Sequence, residues 1–94
     1  MKTFKDLEFK KRPVCGFQAV MNFNNGYGVS VLLGNMFYSN GKDTYELAVL
    51  EDGYLCYTTP ITEDVLGYLT EDEVTEVMRK IQELPSNYKV EDYE

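Results

Sequence analysis

The chain has 94 residues, enough for one domain with a small core. It is acidic, with 16 Asp and Glu against 9 Lys and Arg and a net charge of −7, so nucleic acid and anionic lipid are excluded as natural partners of most of its surface. Histidine is absent, which removes the commonest general base, the commonest transition-metal ligand and the usual pH switch.

The many aromatics and few prolines argue against disorder. No apolar run is long enough to span a bilayer, and the charged start, Met1 to Glu8, lacks the apolar segment of a signal peptide, so an intracellular, cytoplasmic protein is expected. The basic residues cluster early: Lys2, Lys5, Lys10, Lys11 and Arg12 precede a strongly acidic remainder. Cys15 and Cys56 form no Cys-x-x-Cys motif and are expected as reduced thiols.

In chain order, Thr3 to Arg12 admits two readings. Leu7 and Phe9 alternate with Glu8 and Lys10 as in a strand, whereas Thr3 can cap one short turn. Pro13 and Gly16 then break regular pairing. The most legible stretch is a hairpin over 17–33. A three-residue loop, Asn24-Asn25-Gly26, pairs Phe23 with Tyr27, Met21 with Val29, Ala19 with Val31 and Phe17 with Leu33, which puts apolar partners on one face. Such a loop is a type I turn closed by a left-handed Gly26. Gly34-Asn35 is a turn, Met36-Phe37-Tyr38 reads as a short edge strand, and residues 39–43 carry loop chemistry.

A second hairpin is predicted over 45–58. The same matching of faces selects three loop residues, Glu51-Asp52-Gly53, with Leu50 opposite Tyr54, Val49 opposite Leu55 and Ala48 opposite Cys56. One face then carries Tyr45, Leu47, Val49, Leu55 and Tyr57. The other carries Glu46, Ala48, Leu50, Tyr54 and Cys56, and its half-apolar character calls for cover by the chain or by a partner. After Pro60, Ile61 to Leu66 reads as one helical turn capped by Thr62 and stopped by Gly67.

The clearest signal is the last helix. Thr70 is an N-cap, Glu73 completes a capping box, and Val74, Val77, Met78, Ile81 and Leu84 form one apolar stripe before Pro85. Acids crowd the first turn, Arg79 and Lys80 lie near the last, and Glu76 is spaced to pair with Lys80. The fold class expected is α+β: an antiparallel sheet of four or five strands built from two hairpins, with one C-terminal amphipathic helix on one face. Residues 1–85 form the domain and 86–94 an acidic tail expected to be flexible.

No catalytic constellation emerges. Gly26-Tyr27-Gly28 lacks the third glycine and the following helix of a phosphate loop. Glu63-Asp64 and Glu71-Asp72-Glu73 supply oxygen ligands without EF-hand spacing, and the second group already serves the helix dipole. Neither cysteine has a His partner. No enzyme activity, metal or cofactor is therefore expected. Eight tyrosines, interleaved with acids rather than with Lys and Arg, favour recognition of protein over stacking on bases. The expected partner-binding residues are Glu46, Leu50, Tyr54, Glu63, Asp64 and Tyr68.

Three runs, Asn25 to Val31, Tyr45 to Leu50 and Thr59 to Leu69, resemble in sequence and order a group of small hypothetical proteins of tailed bacteriophages. The resemblance implies a phage-type protein working in the bacterial host cytoplasm and carries over no functional residue. The function expected is non-enzymatic binding of a host or phage protein, with inhibition of a host defence or nucleic-acid enzyme as its form. A small-ligand-sequestering oligomer and a self-associating virion accessory, including a homodimer, are the alternatives.

Overall fold

The structure is a computed structural model that describes residues 1–62 and 64–86. Glu63 and residues 87–94, all of the expected 86–94 tail but its first residue, lie outside the described residues. The fold is α+β. Six strands form one antiparallel sheet: β1 (Lys10–Lys11), β2 (Phe17–Asn22), β3 (Tyr27–Leu33), β4 (Tyr45–Glu51), β5 (Tyr54–Leu55) and β6 (Leu66–Leu69). They run β1-β2-β3-β4 across the sheet, and the far edge of β4 is shared by β5 at one end and β6 at the other. One helix, α1 (Glu71–Gln82), follows β6 directly.

The first hairpin has the register its face pattern demands: Phe17 opposite Leu33, Ala19 opposite Val31 and Met21 opposite Val29. The loop closes through the Phe23 amide donating to the Tyr27 carbonyl at 2.7 Å, and Gly26 adopts φ +90°, a conformation that a Cβ disfavours. Asn25 adds something that turn propensity does not convey. Its side chain is buried, and Nδ2 donates to the carbonyls of Ile81 (2.9 Å) and Leu84 (3.1 Å) while Oδ1 accepts from the Tyr27 amide. A hairpin turn thus caps the far end of the helix, where carbonyls lack intrahelical partners.

The second hairpin departs from expectation. Its turn has two residues, Asp52 (φ +53°) and Gly53 (φ +87°), so Glu51 pairs with Tyr54 and Leu50 with Leu55. Both central residues are left-handed, the type I′ geometry whose twist suits a tight hairpin. That turn outweighs the apolar face matching because β5 is only two residues long and has few cross-strand pairs to enforce a register. Cys56, bonded through its amide to the Val49 carbonyl, is buried, and its thiol lies 3.6 Å from Glu51 Oε1. Cys15 and Cys56 are both free thiols.

Three other local expectations are corrected. Thr62 forms no helix cap; its hydroxyl accepts from the Asp64 amide and donates to the Asp64 carbonyl, closing a small side-chain turn. The chain then enters strand β6, which pairs with the edge of β4, and Leu66 and Leu69 both pack against the core. A bulge sets Gly67 and Tyr68 opposite Glu46, with Tyr68 at φ +56°. Met36-Phe37-Tyr38 is a bend, held by the Phe37 amide on the Gly34 carbonyl, because the Tyr38 carbonyl is taken by the Tyr68 amide. The N-terminal stretch realises part of each reading: Thr3 caps a 3-10 turn (Phe4–Asp6), and β1 forms only at Lys10–Lys11.

The helix begins at the Thr70–Glu73 capping box as expected. Val74, Met78 and Ile81 are fully buried against Val29, Val31, Leu47 and Val49. Arg79, rather than Lys80, takes Glu76, and it also binds Glu83. A guanidinium can bridge two carboxylates that a single ammonium cannot span. The N-terminal segment closes the same layer. Phe4, Phe9 and Tyr45 cluster with ring centroids 4.9–5.8 Å apart, and Lys2 and Gln82 exchange two hydrogen bonds.

Candidate protein-binding face

Strand alternation sends the odd-numbered side chains of β2, β3 and β4 toward the helix. The even-numbered ones form a second face, on which the helix does not lie. The registers align this open face into rows. The first reads Lys10, Gln18, Leu32, Glu46; the second Val20, Ser30, Ala48; the third Asn22, Gly28, Leu50, Leu55. Gly53, Tyr54, Leu55, Tyr57 and Val65 border one side, and with Leu32, Ala48 and Leu50 they line a shallow trough of about 620 Å³.

The floor is half sheltered. Ala48, Leu50 and Ser30 are buried, whereas Val20 (54 % exposed), Leu55 (57 %) and Tyr54 (78 %) are open to water. A polar chain crosses the face: Arg12 Nη1 donates to Gln18 Oε1 at 3.3 Å, and Gln18 Nε2 donates to Ser30 Oγ at 2.9 Å. The Arg12 guanidinium also stacks 5.1 Å over the Phe37 ring, which supports a cation whose Nε has no hydrogen-bond partner.

Of the residues expected to bind a partner, Glu46, Leu50 and Tyr54 meet at the trough. Tyr54 stands at its end, and Leu55 takes its expected place beside Leu50. Tyr68 sits apart on the β6 bulge, its ring 6.3 Å from Tyr38, and is linked to the trough through Glu46, whose Oε1 accepts the Tyr38 amide. Asp64 is exposed in the preceding turn, where Oδ1 accepts the Val65 amide. Glu63 lies outside the described residues. Leu32 is expected on the side left looking for cover, whereas Lys10, Arg12, Gln18, Val20 and Ser30 are not expected as partner-binding residues. The signal for most of them was present in the i, i+2 spacing of β2 and β3, whose even positions mix apolar with polar side chains.

The titrations that the fold moves concern groups elsewhere. Burial, then the nearby Glu51, raises Tyr27; burial, then Glu71 and Asp43, raises Tyr45. Hydrogen bonds from Arg79 lower Glu76, and the Thr3 amide lowers Asp6. Among the described residues that line the trough, no nucleophile is set beside a base. Among the described residues, no group of three or more acidic or Cys side chains is placed to hold a metal ion, and no helix is long and apolar enough to cross a membrane. No protein-family model, curated protein or solved structure matches the chain.

Proposed function

We propose that this chain is a small acidic protein-recognition module that acts without chemistry of its own, by docking its open sheet face and the adjoining tyrosines against another protein. The observation that carries this reading is the row of exposed or half-sheltered apolar side chains, Val20, Leu32, Leu55 and Tyr57, on the face opposite the helix. Contiguous apolar surface of this kind is costly to leave in water and is the usual mark of an interaction site. The polar side chains of Gln18 and Glu46 beside it supply directional contacts. The resemblance to phage proteins favours a target in a bacterial host, with inhibition of a defence or nucleic-acid enzyme as the outcome.

The test compares two point variants as baits in bacterial lysate at moderate salt. Val20→Asp places a charge in the exposed centre of the face, and Lys80→Ala alters the exposed side of the helix. A partner held by wild type and Lys80→Ala but released by Val20→Asp is the expected result. A partner that Val20→Asp retains equally, or none held by wild type, overturns the proposal.

A further inference from the structure

We infer that the open face is self-complementary and closes on a second copy of this chain, giving a twofold sandwich of two sheets with the helices outside. The inference rests on reading that face as a protein-binding surface, and it names the occupant. The argument comes from the first row. Register places Lys10, Gln18, Leu32 and Glu46 side by side on four neighbouring strands. The row is therefore basic at the β1 edge, apolar near the middle and acidic at β4.

A twofold axis lying in the interface and parallel to the strands reverses the order of strands while keeping each row at its own height. It sets Lys10 of one copy over Glu46 of the other, and Glu46 over Lys10, in one operation. A twofold axis across the strands would instead stack basic β1 on basic β1, so charge selects between the two packings. The β1 margin stays positive when its neighbours are counted, because Lys10, Lys11 and Arg12 outnumber the adjacent Glu8. Glu46 spends one oxygen on the Tyr38 amide and keeps the other for the partner. Parallel stacking of this kind is the aligned packing of two sheets, whose strands cross at roughly 30°.

The size of the face sets the strength. Strands β2, β3 and β4, about 4.8 Å apart with about six residues each at about 3.3 Å, and the two-residue β1 beside them give a footprint of roughly 300 Å² per copy. Counted over both copies this lies below the usual area of specific interfaces, so a weak dimer that forms only at high concentration is expected.

Sedimentation equilibrium across about 5–500 µM tests the inference on wild type, Lys10→Glu, Glu46→Lys and an equimolar mixture of the two variants. Each variant alone places like charges at both rim contacts and is expected to weaken the dimer at least tenfold. The mixture restores two opposite-charge contacts and recovers most of the wild-type association, which only this pairing predicts. Val20→Asp is expected to be monomeric throughout and serves if Glu46→Lys, through its loss of the Tyr38 contact, does not fold. A monomeric wild type at 500 µM, or a dimer that both Lys10→Glu and Val20→Asp leave intact, overturns the inference. A monomer that still captures a partner through Val20 removes only the second copy and leaves the proposed function standing.

Discussion

Asn25 offers the sharpest test of how this fold is held together. Its amide donates to the carbonyl of Ile81 in the last turn of α1 and to that of Leu84 just beyond it, from a site with 8 % exposure. Replacing it with Ala removes both donors, and the Ile81 carbonyl keeps only the Leu84 amide at 3.1 Å. Each lost bond is worth about 1 kcal/mol, and incomplete access of water to the Ile81 carbonyl adds to the cost. Asn25→Ala should therefore lose about 2 kcal/mol. Asn25→Asp keeps the shape but turns a carboxylate toward the negative end of the helix, which costs about 0.5–1 kcal/mol more. For a domain of this size, these losses lower Tm by roughly 10–20 °C. The gap between wild type and Asn25→Asp should narrow as pH falls through the titration of the introduced carboxyl, because its protonated form regains a donor. Urea unfolding followed by circular dichroism measures both variants. A loss below about 0.5 kcal/mol for Asn25→Ala would show that the hairpin turn does not clip the helix and would refute the reasoning.

Further outcomes follow from single sites. Met78→Ala, at a fully buried position, should cost about 2–5 kcal/mol in the same unfolding experiment. Val20→Asp should leave Tm close to wild type, since the site is half exposed, so any loss of binding by this variant reports the interface rather than the fold. Gly28→Ala would bring a Cβ within 2.6 Å of the Met21 carbonyl oxygen, and the forced shift of two paired strands should cost about 1–3 kcal/mol. Tyr45 has a raised pKa from burial, so its neutral form is favoured by folding. Its contribution to stability is complete below the unfolded tyrosine value of about 10 and is lost as pH rises through the folded one. Thermal melts above pH 10 should therefore fall less steeply for Tyr45→Phe than for wild type.

The proposed sandwich would also explain why the second sheet face tolerates so much apolar surface. The helix stripe is narrow and satisfies only one side of the sheet. Among the described residues, no second α-helix covers the other. Tyr57 and Val65 border the trough beside the buried Ala48 and Leu50, and the middle of β2, at Val20, stays open.

Most of the candidate face was legible only in outline. Glu46 and Leu50 could be assigned to the uncovered side from the alternation of β4 alone. Tyr54 was given Leu55's place because a three-residue turn was preferred over a two-residue one, and one residue of slip exchanges the faces of a strand. Lys10 entered the site only because β1 pairs with β2 across the break at Pro13 to Gly16, a contact that local patterning cannot show.

Elements whose signals are local and agree with one another can be read from the residues alone. The first hairpin is specified by its Asn-Asn-Gly turn together with a single register that keeps every partner apolar. The helix is specified by its capping box and stripe. Where local signals conflicted or were weak, the tertiary structure decided. Residues 66–69 became a strand because β4 had a free edge and Leu66 and Leu69 needed burial. The short β5 took the register of its turn. Asn25 became a helix cap because the fold brought residues 56 and 59 positions apart within hydrogen-bonding distance. Contacts of that separation depend on the whole chain being in place, so the pattern of any one segment does not contain them.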